Sequence, residues 1–465
     1  MKNLDFRGEF CLNRAFWSFL DQNKDKDFLC FSSKNYSFKS FSNRVFQYFL
    51  KIKEEGVQKR IGFVSRDDFD SYCRLFAISL TGASYVPVSD SWPEERKRRV
   101  TQQADLKFVL DDIEDSNEEI SSDLIQPLID QEEAYVLFTS GSTGEPKGVP
   151  LQKRNINALL DYYVNESSYK FNEKDNFLQT FELNFDFSLF PLLMAIHCQG
   201  SLTVLNFKKH RYLEIPNTIF ENEITVLTMV PSVLGYLEKY MKDFNFPSLR
   251  YSIFGGAPLH ESHYEKWLNC LPNGEIRNVY GPTETGVICS DYDGRKSKSG
   301  IVAMGYLFSS FNYVIHEGEL CLSGPQVFEG YLESSKNNFL EKDGRKYYCT
   351  GDLVSVDDDG LMYFEGRKDF QFKSQGYRIE PEEVESQIKN ELGVESLLVL
   401  NDEDLVLIYE AGKKEEEIEE VIKKNFPSYM RPHFLVQTEA LILNDNNKVD
   451  RKENTEWLKK FPYKN

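Results

Sequence analysis

The chain has 465 residues, 41% hydrophobic and 14% aromatic, with 55 basic and 74 acidic side chains and a formal charge of −19. Such a length suits a large domain joined to a smaller one better than a single core. So acidic a surface repels phosphate backbones and anionic membranes, which speaks against nucleic acid as a partner and leaves room only for a local polyphosphate site.

Taken in chain order, Arg60–Ser65 (RIGFVS) predicts a buried strand, 67–82 a helix, 85–88 a strand, 93–104 a helix with Pro93 in its first turn, and 107–110 a strand. AYVLFT at 134–139 predicts a strand running directly into a glycine-rich loop. This strand–helix alternation predicts a largely parallel, doubly wound α/β sheet, and it resumes at 201–206, 225–230, 250–254 and 277–280. From Gly318 the texture becomes short strands with Gly and Asp turns (GELCLSG, KYYCTGDLVSV, GLMYFEGR), which predicts an antiparallel part closing the large domain. A compact tail follows, with helices at 381–392 and 415–425 and a pair of apolar strands around 396–409. The expected division is therefore 1–368 and 369–465.

The start, MKNLDFRGEF, places Asp5 and Glu9 where a signal peptide would build its apolar stretch. The longest apolar runs, such as 189–196, fall short of the ~20 residues of a membrane helix. Eight cysteines (Cys11, Cys30, Cys73, Cys198, Cys270, Cys289, Cys321, Cys349) lie dispersed without a CxxC pair. Reduced, mostly buried thiols in a cytoplasmic protein are the expectation.

Chemistry concentrates first in the loop Thr139-Ser140-Gly141-Ser142-Thr143-Gly144-Glu145-Pro146-Lys147-Gly148. Hydroxyls, glycines and one lysine after a buried strand compose a phosphate cradle, because glycine lets backbone N–H groups approach an anion. The Walker A pattern is absent, since Lys147 precedes Gly148 and not Ser or Thr. A plain Gly/Ser turn is the structural alternative.

The loop TSGSTGEPKG resembles the signature of the adenylate-forming superfamily: acyl-CoA synthetases, luciferases and amino-acid adenylation domains. Further motifs follow in the order that family requires: NVYGPTE at 278–284, ELCLSGPQVFEGY at 319–331, TGD at 350–352, GRKDFQFKSQGYRIEPEEVE at 366–385, FPSYMRP at 426–432 and NDNNKVDR at 444–451. The chain is thus identified as similar to stand-alone amino-acid adenylation domains of nonribosomal peptide synthetases and to D-alanine–carrier-protein ligases. The resemblance implies a large N-terminal domain and a small mobile α+β C-terminal domain, with Asp369 at the hinge.

It also implies ATP and Mg²⁺. Thr139, Ser140, Gly141, Ser142, Thr143, Gly144 and Lys147 would hold the phosphates, while Gly255, Gly256 and Ala257 would line the adenine, with Tyr280 stacking on it. Asp352 would accept hydrogen bonds from the ribose hydroxyls, with Arg367 nearby. Thr283 would contact the α-phosphate, and Glu284 would hold Mg²⁺, a cation that takes hard oxygen ligands. Lys448 would stabilise charge developing during adenylation. Here the family's Asn-Gly-Lys reads Asn446-Asn447-Lys448, and Asn is the best substitute for Gly where φ is positive.

The acid is implied by FDFS at 185–188. In the amino-acid branch the Asp of FDxS pairs with the substrate's α-amino group, a pairing that a buried ammonium needs. Asp186 therefore points to an amino acid; a structural Asp before the following helix is the alternative. Phe187, Phe190, Ser232, Ser252, Phe254, Val279, Val287 and Ile288 would line the side-chain pocket, and three phenyl rings leave room for a small substrate. Phe254 stands where D-alanine ligases carry cysteine, a departure from that branch. No carrier module follows the last motif, so the acceptor would be the phosphopantetheine thiol of a separate carrier protein. Two other readings remain open here: an acyl-CoA synthetase of the same superfamily, and a catalytically silent amino-acid or nucleotide sensor.

Overall fold

The computed structural model describes residues 10–32, 34–114, 116, 118–141, 145–206, 211–332, 338–374, 377–401, 404–443 and 449–460. The chain divides into two compact units. The first gathers Met1–Val88, Ala104–Leu137 and Val149–Lys368; the second gathers Ser89–Gln103, Phe138–Gly148 and Asp369–Asn465.

A nine-stranded sheet organises the first unit. Its order runs Tyr306–Leu307, Ser290–Tyr292, Glu275–Tyr280, Tyr251–Phe254, Val226–Met229, Asn176–Gln179, Ser201–Val204, Asp27–Phe31, Lys34–Ser37. From Glu275–Tyr280 to Asp27–Phe31 every neighbour is parallel, and antiparallel strands close both edges. The central strands are buried on both faces, as in Tyr251–Phe254 and Val226–Met229, which is why they read as unbroken apolar runs. A five-stranded sheet has the order Val109–Leu110, Arg60–Ser65, Ser84–Ser89, Glu133–Thr139, Lys147–Gln152. This is the α/β architecture that the strand–helix alternation predicts.

One aromatic cluster lies near the N-terminal end of the chain. Helices Cys11–Asn23 and Phe38–Glu55 bury Phe16, Phe19, Phe38 and Phe41 with Phe28 between them, and the Phe19 and Phe38 rings stack at 4.2 Å. Such pairs add about 0.5–1.5 kcal/mol beyond the area they bury. Helix Phe69–Thr81 starts where the Asp68 carboxylate accepts the Ser71 N–H, one of the orphan donors of its first turn.

An antiparallel sheet closes this unit, with Asn312–His316, Glu319–Ser323, Arg345–Val356 and Phe339–Lys342 in order and Met362–Arg367 also paired to Arg345–Val356. It corrects the expectation that all eight thiols are reduced. Cys321 and Cys349 stand directly opposite each other on adjacent strands, with Cα atoms 4.0 Å apart, and form a disulfide. Register, not spacing in the sequence, brings this pair together, since directly opposed antiparallel residues approach most closely where the ladder bonds are absent. The other six cysteines are free, and only Cys198 among them is not fully buried.

In the second unit, helices Pro381–Leu392 and Glu415–Asn425 share a core with the three-stranded sheet Ser396–Asn401, Asp404–Glu410, Phe434–Thr438. Val384, Ile388, Leu398, Leu407, Ile418 and Ile422 fill that layer. Leu397, Val399, Val406 and Ile408 point to the other face, where they meet Leu458 of helix Arg451–Lys459. The EEEIEE run keeps its carboxylates outward while Ile418 is buried.

Candidate active site

Strand pairing builds the first constellation. Asp352 on Arg345–Val356 lies opposite Arg367 on Met362–Arg367, and Arg367 Nη1 donates to Asp352 Oδ1 at 2.7 Å. The Tyr280 hydroxyl, at the end of the parallel strand Glu275–Tyr280, donates to Asp352 Oδ2 at 2.6 Å. Burial first, then the Asp352 charge, raises the Tyr280 phenol well above its ordinary range, so it stays a proton donor. A carboxylate offers about four acceptor positions. Asp352, which is 7% exposed, therefore keeps capacity for further donors on both oxygens, as a ribose diol requires.

The second constellation joins two short turns. Asp186 opens the turn Asp186–Ser188 ahead of helix Leu189–Cys198. Its Oδ1 accepts the Phe187 N–H at 2.7 Å, and its Oδ2 accepts the Thr283 hydroxyl at 2.5 Å. Thr283 begins the turn Thr283–Thr285, just after Tyr280-Gly281-Pro282. A Cβ on Gly281 would lie 2.5 Å from the Val287 carbonyl oxygen, so the chain can pass itself here only with glycine. Val287 has φ +83°, a strained setting for a β-branched residue that costs on the order of 1–3 kcal/mol. Gln326 holds the loop in place: it is fully buried, and its amide donates to the carbonyls of Ile288 (2.8 Å) and Thr285 (3.2 Å).

Glu284, 0% exposed, follows Thr283 in the same turn, and its Oε1 accepts the Tyr331 hydroxyl at 2.7 Å. Tyr331 lies 3.3 Å from the Tyr348 hydroxyl. Among the described residues there is no group of three or more His, Cys, Asp or Glu placed to hold a metal. A cation at Glu284 would have that buried carboxylate as a ligand, which fits Mg²⁺, a metal commonly held by one or two carboxylates plus phosphate oxygens and water.

Only part of the expected pocket lining converges. A Cβ on Gly255 would lie 2.9 Å from both Phe187 Cε1 and Val279 Cγ2, so these three meet, and the Phe187 and Phe190 rings are 6.3 Å apart. Ser252 and Phe254 instead contact Trp267 of helix Glu261–Leu268: the indole N–H donates to Ser252 Oγ at 3.0 Å, and the Phe254 ring packs edge-on at 6.3 Å. Alternation along Tyr251–Phe254 accounts for this, because residues two apart share a face. The Ser232 hydroxyl is buried without a hydrogen-bond partner among the described residues. Gly256 has φ +84° and is half-buried, like Ala257.

In the second unit the loop after Glu133–Thr139 is held closely. The Thr139 hydroxyl is buried and has no hydrogen-bond partner among the described residues. Ser140 Oγ donates to the Arg378 carbonyl at 2.8 Å and accepts the Glu380 N–H at 3.1 Å. The Gly141 N–H donates to Glu383 Oε2 at 2.9 Å, and Lys147 Nζ lies 3.7 Å from Glu380 Oε1. Ser142, Thr143, Gly144 and Lys448 lie outside the described residues. Asp369 is exposed, and its Oδ1 accepts the Gln371 N–H at 3.2 Å. Gln326, Tyr331, Glu380 and Glu383 were not singled out by sequence reasoning, although all four lie inside the motifs SGPQVFEGY and GYRIEPEEVE.

The family described as AMP-binding enzyme matches residues 16–332. Tyrocidine synthase 1 of Brevibacillus parabrevis is 26% identical over 478 residues, which cover 92% of this chain and 43% of that protein. The D-alanine--D-alanyl carrier protein ligase of Lactococcus lactis subsp. lactis (strain IL1403) is 29% identical over 453 residues, covering 86% of this chain and 90% of the ligase. The chain spans less than half of the first of these relatives and 9% of bacitracin synthase 1 of Bacillus licheniformis. Among solved structures, the Vibrio cholerae adenylation domain AlmE in complex with glycyl-adenosine-5'-phosphate superposes with a TM-score of 0.85 at 20% identity, covering 97% of this chain and 98% of AlmE. That likeness establishes the fold.

Proposed function

Because this chain belongs to the AMP-binding enzyme family, we propose that it activates an amino acid as its adenylate and passes the aminoacyl group to the thiol of a carrier protein. The observation that carries the amino-acid assignment is Asp186, a carboxylate anchored by the Phe187 N–H and the Thr283 hydroxyl. An ammonium taken out of water needs such a partner, whereas a fatty or aryl acid does not. The relationship to a D-alanyl carrier protein ligase over most of both chains supports the same branch.

ATP is the co-substrate in this reading. Asp352, fixed by Tyr280 and Arg367, receives the ribose hydroxyls, and Gly255, Gly256, Ala257 and Tyr280 border the adenine. Thr139, Ser140, Gly141 and Lys147 receive phosphates, a role that suits the buried Thr139 hydroxyl. Glu284 would hold Mg²⁺, which neutralises phosphate charge when bound. The substrate carboxylate attacks the α-phosphorus, the bond to the β-phosphate oxygen breaks, and pyrophosphate leaves. Thr283 positions Asp186 and stands beside the reacting phosphate, and Lys448 stabilises the negative charge of the transition state. The carrier thiol, deprotonated, then attacks the acyl carbonyl and expels AMP. A segment 369–465 turning about Asp369 would let one site serve both steps.

The Phe187 ring lies against Gly255 and Val279, and this contact favours a small side chain such as that of glycine, alanine or serine. Among the described residues no helix is long and apolar enough to cross a membrane. The test is ATP–pyrophosphate exchange across the L-amino acids, glycine, D-alanine, β-alanine and several fatty and aryl acids. Exchange with one or two small amino acids, reduced about 10²–10³-fold in Lys448→Ala and lost in Asp186→Ala, is the expected result. Exchange only with acids lacking an amino group would move the enzyme to the acyl-CoA branch. ATP binding without exchange for any acid would favour a sensor.

A further inference from the structure

Two carboxylates of the segment Glu380-Pro381-Glu382-Glu383 stand at the groups of the glycine-rich loop that recognise anions. Glu383 is 1% exposed. Its Oε2 accepts the Gly141 N–H at 2.9 Å while its Oε1 accepts Arg96 Nη1 at 3.0 Å. Glu380 lies 3.7 Å from Lys147 Nζ, and its own carboxylate is oriented by the Gln371 amide at 2.6 Å. The Glu380 N–H and the Arg378 carbonyl hold the Ser140 hydroxyl from either side. Each contact has a counterpart in what a phosphate would make: an anionic oxygen on a backbone N–H, another near the lysine, and a hydroxyl whose hydrogen bonds are spoken for. Arg96 strengthens the point. It is 2% exposed, its Nε and Nη2 have no hydrogen-bond partner among the described residues, and its guanidinium lies 5.3 Å from the Trp92 ring. A buried cation with donors unmade is costly unless an anion is kept beside it.

We propose that Glu383, backed by Arg96, is a positioning residue for the second half-reaction: it takes the place of a phosphate on the glycine-rich loop once pyrophosphate has left, and so opposes its return. This rests on the reading that the loop receives the ATP phosphates. Its consequence is a split between the two half-reactions. Glu383 competes with pyrophosphate and holds the loop in the state from which the acyl group is transferred, while contributing nothing to the attack on the α-phosphorus.

The test measures both half-reactions in Glu383→Gln: amino-acid-dependent ATP–pyrophosphate exchange, and transfer from preformed enzyme-bound adenylate to a pantetheine thiol at increasing pyrophosphate. The expected result is an exchange kcat within about twofold of wild type, tighter pyrophosphate inhibition of transfer by about tenfold, and slower transfer. Because the single change leaves Arg96 uncompensated, the double variant Arg96→Leu/Glu383→Gln is measured beside it, with the same split expected. Parallel loss of exchange and transfer in both variants, or unchanged pyrophosphate inhibition in both, would overturn the proposal. Absence of any amino-acid-dependent exchange in the wild type would instead strike the underlying assignment.

Discussion

Asp291 illustrates what a single buried carboxylate does to this protein. It is 7% exposed, faces Arg277 Nη1 at 3.7 Å, and is pushed up to about 6 because burial outweighs the Arg277 charge, with Asp293 and Glu275 adding to the shift. A carboxyl raised in the folded state contributes stability that is present below its unfolded value and lost as pH rises through the folded one. Wild type is therefore expected to lose up to ~3 kcal/mol relative to Asp291→Asn between about pH 4 and pH 6 and to run parallel to it above that. Denaturant midpoints of the two proteins across that range check it; a wild type that holds level with the variant, or gains on it, as pH rises from 4 to 6 would contradict it. The same scale explains what was legible in the sequence. Asp352, Arg367, Thr283 and Asp186 are recognisable because their chemistry is carried by motif context. Gln326 and Tyr331 are not, since an amide bracing two carbonyls and a phenol on a carboxylate leave no mark beyond ordinary composition. Cys321 and Cys349 were likewise unreadable as a pair: only strand register opposes them.

At the scale of elements, the turn linking Glu275–Tyr280 to Thr283–Thr285 carries the tightest constraint. The Gly281 backbone passes the Val287 carbonyl so closely that an added methyl would lie 2.5 Å from its oxygen, and backbone cannot yield as a flexible side chain would. Gly281→Ala is expected to cost about 1–3 kcal/mol and to raise the KM for the amino acid, because Thr283 and Asp186 depend on this turn. Thermal melts and exchange kinetics test both parts, and an unaltered melting temperature would refute the crowding argument. Apolar runs bounded by turn residues place Arg60–Ser65, Pro381–Leu392 and Glu415–Asn425 correctly from the sequence, since burial pattern and helix signals agree there. The helix Phe38–Glu55 was not among the elements expected from the sequence, although it buries Phe38, Phe41, Val45, Phe49 and Ile52 at helical spacing. The facing of Ser252 and Phe254 is different in kind. An alignment can match positions, but only the packed helix Glu261–Leu268 decides which face of the strand meets the pocket.

At the scale of the whole molecule, an acidic chain of −19 must accept a polyphosphate that its surface as a whole repels. In the proposed reaction local groups meet it: Ser140, Gly141 and Lys147 take the phosphates, and Asp352, paired with Arg367, takes the ribose. In the proposed activity the acid is chosen by one negative charge, Asp186, opposite the α-amino group. The most direct measurement compares ATP–pyrophosphate exchange for acids that differ only in that group: glycine against acetate, and alanine against propionate, each with wild type and Asp186→Asn. Exchange by the amino acids exceeding that by their deaminated partners by at least ~10²-fold, with the margin collapsing in Asp186→Asn, is the predicted result. Equal exchange by both members of each pair, or a margin untouched by the substitution, would contradict the account.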